Sequence, residues 1–312
     1  MKLIDFMDDW LENHHRDYVK RQTYVRYKSN IDCYIRRSEI GQKELCGITH
    51  RDVQEFVNAL KRKNGERTCR PLSAGTVNST FVVLQCALGY AEENGMIDKN
   101  PCLRIRRPAE MKKEDGVKCF TVAEQKKIES YIDELKDPEY YCYIVDLYTG
   151  LRIGELCALT WDDVDFEEKA LYVNKGVYSS LDENGKWELM TDTPKTRTSV
   201  RVIPLPAHVM KTLARMWKSS KSEFVCSRAD GSRITPWVCR WRFDEILKKL
   251  GIRHLNFHCI RHTFATRALE NGVDIRTLSE ILGHSTPAIT LNVYTHSLTE
   301  HKRSMMDKMK RV

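Results

Sequence analysis

The sequence has no run of apolar residues long enough to span a bilayer. With 30% of residues charged, it offers no membrane segment. Its opening, MKLIDFMDDWLENHH, is amphipathic and acidic, which excludes a secretory signal there. The eleven cysteines are scattered and form no C-x-x-C pair, so neither a zinc ribbon nor a disulfide framework is indicated. They read as reduced, mostly buried thiols of a cytoplasmic protein. There is no internal repeat and no low-complexity segment, which leaves one large or two ordinary globular domains for 312 residues.

An apolar fraction of 41% is enough to build real cores, and a formal net charge of +8 favours an anionic partner such as nucleic acid. The first 103 residues read as helices only. Apolar residues recur at helical spacing at 3, 6, 7, 10 and 11, at Tyr24, Tyr27, Ile31 and Tyr34 or Ile35, and at Val53, Phe56, Val57 and Leu60 behind a Thr49 cap. A longer helix runs through LSAGTVNSTFVVLQCALGYAEENG to Gly95, with Pro101 beyond. Residues 104–118, RIRRPAEMKKEDGVK, read as a basic linker, in which Arg104, Arg106 and Arg107 suit contact with a polyanion. A solvated linker is the plainer reading. Lys and Arg exceed Asp and Glu by 19 to 14 in residues 1–108, against 32 to 29 in the remainder. The charge excess per residue is therefore greater in front.

Residues 119–312 change character. Helices are expected at about 121–135, 139–149 and 152–158. A small antiparallel sheet follows from ALYVNKGVYSS, WELM and SVRVIPL, with turns at DENGK and TPKTR. Helices resume at about 206–218, 235–250, 258–271, 274–282 and 286–294. The expected class is mainly α with a small antiparallel β-sheet (α+β).

The segment FHCIRHTFAT, 257–266, carries His258, Arg261 and His262 within little more than one helical turn. His254, His258 and His262 resemble a metal ladder. However, His254 precedes the predicted helix, and Cys259 stands where the zinc-protease motif needs glutamate. No metal is therefore assigned. In TGLRIGELCAL, 149–159, Arg152 and Glu155 are three apart at a helix start. Such a pair is ordinarily a surface ion pair, but here it is enclosed by Leu151, Ile153, Leu156 and Leu159. Lys195 lies in a β-turn, His284 follows a helix-ending glycine, and Tyr294 lies near the end of the next helix. Each alone is more often a solvated lysine, a cap or a core tyrosine.

The ordered set Arg152, Lys195, His258-x-x-Arg261, His284 and Tyr294 resembles that of the tyrosine recombinases, the phage-integrase type of site-specific recombinase. TGLRIGEL resembles the family's first arginine box and HCIRHTFAT its H-x-x-R box. LGHS, with a tyrosine ten residues after the histidine, resembles its third box. The front helices resemble the family's core-binding domain. The resemblance implies a core-binding domain over 1–103, a linker over 104–118 and a catalytic domain over 119–312, with a tail helix at about 297–310. It also implies transesterification at a DNA phosphodiester without cofactor. Tyr294 would be the nucleophile forming a 3′-phosphotyrosine, Arg152 and Arg261 would bind the non-bridging oxygens, and Lys195 would protonate the leaving 5′ oxygen. His258 would assist proton transfer at the tyrosine, His284 would donate to the phosphate, and Glu155 would position a neighbouring cation or histidine. Guanidinium groups suit the task because they stay charged and match phosphate geometry.

The implied partners are double-stranded recombination sites, further copies of the chain in a tetramer, and accessory DNA-bending or directionality proteins. The tail SLTEHKRSMMDKMKRV would dock on a neighbouring protomer, the plainer reading being a helix packed on its own domain. Two departures stand out. Cys259 and Ile260 replace the usual acidic residue and leucine, and the core-binding helix starts at about residue 2, so arm-site binding is not implied. The rival readings are a type IB topoisomerase, a DNA-binding regulator that does not cut, and a zinc enzyme on His254, His258 and His262.

Overall fold

In the computed structural model, residues 1–62, 71–109, 118–181, 187–192 and 200–291 are described, and they divide into two compact units, Met1–Lys112 and Lys113–Val312. Among the described residues no helix is long and apolar enough to cross a membrane.

The helical spacing of the front sequence becomes the core of the first unit. Leu3, Phe6 and Met7 of α1 (Leu3–Asp9), and Trp10 and Leu11 just beyond it, are buried against Tyr27 of α2 (Arg21–Asn30) and against Ile31 and Ile35. Val53, Phe56, Val57 and Leu60 of α3 (His50–Arg62) and Val77, Phe81, Leu84 and Leu88 of α4 (Ala74–Glu93) complete it. Thr49 caps α3: its hydroxyl accepts from the Asp52 amide, and the Asp52 carboxylate accepts from the Thr49 amide. Gly95, in the left-handed region at φ +68°, ends the last turn of α4, where the Met96 amide bonds back to Ala91.

The first unit continues into the segment read from sequence as linker. Ile105 joins its core, the Arg106 amide donates to Gln54 at 2.8 Å, and the Arg107 guanidinium lies 5.2 Å from the Phe81 ring centroid. A stretch of mostly charged residues hides one apolar anchor, Ile105, and that anchor fixes its neighbours. Residues 110–117 lie outside the described residues.

In the second unit α5 (Val122–Leu135) opens with a full capping box from Thr121 and Glu124, and α6 (Tyr141–Thr149) is buried along nearly its whole length. The short α7 (Ile153–Leu156) follows. Among the described residues the expected small antiparallel sheet is divided into two antiparallel sheets. One orders β1 (Val164–Asp165), β2 (Ala170–Val173) and β5 (Arg201–Pro204); the other pairs β3 (Gly176–Leu181) with β4 (Trp187–Asp192). The chain leaves the first sheet at Asn174 and Lys175, whose side chains bond to Asp163 at 3.1 and 2.7 Å. That polar anchor interrupts what the sequence shows as one β stretch. Helices α8 (Ala207–Ser219), α9 (Pro236–Lys249), α10 (His258–Glu270) and α11 (Ile275–Leu282) follow, and residues 287–291 are helical. The core centres on α6, with Phe243 and Phe257 edge to face at 5.5 Å.

Candidate active site

Helix α11 begins at Asp274, whose carboxylate accepts from the Arg276 and Thr277 amides, and ends at Gly283 with φ +65°. The His284 amide bonds back to Ser279 across that turn. The end of a helix leaves carbonyls without helical partners and carries partial negative charge. Here three successive carbonyls each receive a different arginine. Arg201 Nε donates to Ile281 at 2.6 Å, Arg261 Nη2 to Leu282 at 2.6 Å, and Arg152 Nη2 to Gly283 at 3.1 Å.

The three arginines come from three elements. Arg152 precedes α7, in extended backbone just after Gly150 has ended α6 in the left-handed region. A Cβ on Gly150 would stand 2.4 Å from the Phe264 ring, so glycine is required there for conformation and for space. Arg261 lies on the buried face of α10 and also donates to the Gly150 carbonyl at 2.8 Å. Arg201 opens β5 and points inward beside Ile203, whereas Val202 points out.

Glu155 links two of them. Its Oε1 accepts from Arg152 at 2.8 Å and from Arg201 at 3.1 Å. Its Oε2 accepts from the Arg152 amide at 2.9 Å and from Arg201 at 2.9 Å. Burial works to raise its pKa, but the Arg201 hydrogen bonds and the charges of Arg201 and Arg152 outweigh it and hold the carboxyl at about 2. Arg201 and Glu155 are enclosed at 5% and 8% side-chain exposure, whereas Arg152 is 40% exposed.

The histidines border this cationic site. His258 is the first residue of α10, and burial followed by the charges of Arg261 and Arg152 lowers its pKa. His284 is held down to about 4 by burial and by the same two arginines, with smaller contributions from Arg201 and His258. Its Nδ1 lies 2.8 Å from the Thr290 hydroxyl. Both rings are therefore neutral at pH 7. His262 makes an edge-on contact with His258 at 4.7 Å between ring centroids, and burial lowers it to about 4. His254 stands apart from this ladder: it is exposed and lies 3.4 Å from Asp244. Among the described residues no three metal-ligating side chains group together.

The structure thus draws together Arg152, Glu155, His258, Arg261 and His284 from separate stretches of the chain. Lys195, Tyr294 and the tail at 297–310 lie outside the described residues. Arg104, Arg106 and Arg107 are exposed on the first unit. The sequence reading missed Arg201. Its signal was phase: Ile203 and Leu205 are the buried positions of that stretch, and counting back by two makes 201 inward as well.

Residues 120–301 match the Phage integrase family, and residues 2–61 match the phage integrase N-terminal SAM-like domain. A protein of Caldanaerobacter subterraneus subsp. tengcongensis, described as tyrosine recombinase XerC-like, is 30% identical over 98% of this chain and 82% of its own length. The ICEBs1 integrase of Bacillus subtilis is 28% identical over 94% of this chain and 77% of its own. The solved Tn1549 transposon integrase in complex with transposon right end DNA superposes with a TM-score of 0.81 at 25% identity, covering 99% of each chain.

Proposed function

The chain belongs to the phage integrase family of tyrosine recombinases, and from that premise we propose that it carries out site-specific recombination through a phosphotyrosine at Tyr294. The observation that carries the residue assignment is the convergence of Arg152, Arg261, His258 and His284 at one helix end, from three sequence motifs more than 130 residues apart at their extremes.

In this reading the Tyr294 oxygen attacks the scissile phosphorus. The P–O3′ side stays with the enzyme as a 3′-phosphotyrosine, the P–O5′ bond breaks, and the 5′ oxygen leaves as a hydroxyl. The Tyr294 proton passes toward His258, which is neutral and able to accept it because its pKa lies below the ordinary value. Lys195 supplies the proton to the 5′ oxygen. Arg152 and Arg261 stabilise the charge that builds on the non-bridging oxygens, and both are pre-oriented by backbone carbonyls, so little reorganisation is needed as that charge grows. His284 donates one further hydrogen bond. Resealing is the same transfer in reverse, with the phosphotyrosine conserving the bond energy.

The same reading includes double-stranded core sites of a phage or other mobile element and exposed Arg104, Arg106 and Arg107 on the phosphate backbone. It includes a tetramer on DNA in which the segment from about 297 engages a neighbour, and accessory bending or directionality proteins. Covalent capture tests it. The protein is mixed with nicked, partly randomised duplexes without metal and then denatured with detergent. An adduct with the wild type and none with Tyr294→Phe is the expected result, and sequencing the adducts gives the site. Binding without an adduct, in a pool shown to hold a bound site, overturns the reading in favour of a DNA-binding regulator.

A further inference from the structure

The family resemblance assigns Arg201 no role, yet it is the more enclosed of the two arginines that bond Glu155. We propose that Arg201 is a positioning residue for strand cleavage: it neutralises Glu155, so that Glu155 can orient Arg152 without cancelling the charge Arg152 must present to the phosphate. This rests on the recombinase reading above.

The geometry makes the point. Glu155 holds Arg152 by both its guanidinium and its amide. A lone carboxylate in that position would form a closed ion pair and leave almost no net field for a phosphate. Arg201 takes both carboxylate oxygens from the buried side, at 3.1 and 2.9 Å. The trio of two guanidinium groups and one carboxylate keeps one positive charge, and that charge faces outward, because Arg152 is the exposed member. In a partly enclosed site such a charge acts at low effective dielectric.

The third bond of Arg201 fixes the register. By donating to the Ile281 carbonyl it ties β5 to the end of α11, one and two residues before the carbonyls that hold Arg261 and Arg152. A Cβ on Gly283 would press on Arg201 at 3.1 Å, so this close approach depends on the glycine. Arg201 also lies six residues after Lys195 in the sequence. One side chain thus restrains the strand that follows Lys195 in the sequence, the carboxylate that aims Arg152, and the turn that bears His284.

The test compares Arg201→Gln, Arg201→Lys and the double variant Arg201→Gln/Glu155→Gln with the wild type. It uses a nicked duplex carrying the site recovered by covalent capture. Single-turnover adduct formation, duplex affinity and thermal melting are measured for each. Arg201→Gln is expected to slow adduct formation about 10- to 100-fold, the scale of a misplaced catalytic group, with duplex affinity within about threefold. Removing the surplus carboxylate in the double variant is expected to restore about tenfold. Arg201→Lys keeps the charge but cannot span Glu155 and the Ile281 carbonyl together, and is expected to fall between. A purely structural role predicts that rate and melting fall together and that the double variant restores neither; that result overturns the proposal. So does a folded Arg201→Gln or Arg201→Lys that cleaves at the wild-type rate. If the wild type forms no adduct, the recombinase reading falls and this one with it. A wild-type adduct alongside unaffected variants removes this one alone.

Discussion

The first unit and the second use the same ion pair in opposite ways. In the first, Arg36 bonds Asp8 at 2.7 Å and Asp32 at 2.8 Å, with all three side chains about two-fifths exposed. In the second, Arg201 bonds Glu155 at 2.9 Å with both side chains sealed. The distances are alike and the energetics are not. An exposed pair competes with water and salt and is worth about 0–1 kcal/mol. A buried charge left without its partner costs about 3–5 kcal/mol. The first unit is held by its apolar core, and exposed pairs of this kind add little to it. The second places charges where a bundle would place leucine, and its arginines are held by carbonyls as well as by carboxylate.

That contrast can be broken at its strongest point first. Arg261→Lys keeps a cation but cannot hold the Gly150 and Leu282 carbonyls together as the guanidinium does. Adduct formation is expected to fall about 10²- to 10³-fold, the usual effect of losing one oriented donor at a developing oxyanion. Duplex affinity measured alongside is expected to change by only a few fold, and a rate within tenfold of the wild type would remove Arg261 from the phosphate.

Acid supplies an intermediate effect. Glu155 is held at about 2 in the fold against 4.5, so its stabilisation is complete above pH 4.5 and is lost as pH falls toward 2. His284 is held at about 4 against 6.5, so below pH 6.5 the unfolded chain binds the proton more readily and stability declines toward pH 4. Both act in the second unit. Urea unfolding followed across pH 7 to 4 is expected to show its stability declining, and His284→Gln to flatten that decline. An unchanged slope in His284→Gln would show that His284 is not shielded as described.

The smallest effect is expected from Arg36→Ala. Its urea midpoint corresponds to a loss under about 1 kcal/mol, shrinking further in high salt as screening grows. A loss of several kcal/mol would erase the distinction between the two units.

Much of this was legible in the residues themselves. Front core positions such as Leu3, Phe6, Met7, Val53 and Phe56 follow from helical spacing, because a helix needs an apolar stripe to be buried, whereas Ile40 and Leu45, in short turns, do not. Five of the residues assigned chemistry, Arg152, Glu155, His258, Arg261 and His284, came from motif order and meet in space. The split of the β region was not legible, because nothing in ALYVNKGVYSS shows that Asn174 and Lys175 bond back to Asp163 where the chain leaves the first sheet. The reach of the first unit to Ile105 was hidden by the charges around one apolar residue.

The sequence by itself determined which side chains can carry charge, which helices have an apolar side and in what order the reactive types occur, because these depend on side-chain chemistry and local period. The tertiary structure alone decided that Arg201 lies inward against Glu155 and that the Ile281, Leu282 and Gly283 carbonyls each receive a different arginine. Those choices join residues up to 131 positions apart, and no local rule sets them. They follow from burial, which makes an enclosed charge or a helix-end carbonyl costly to leave without a partner, so that these groups pair where the fold supplies one.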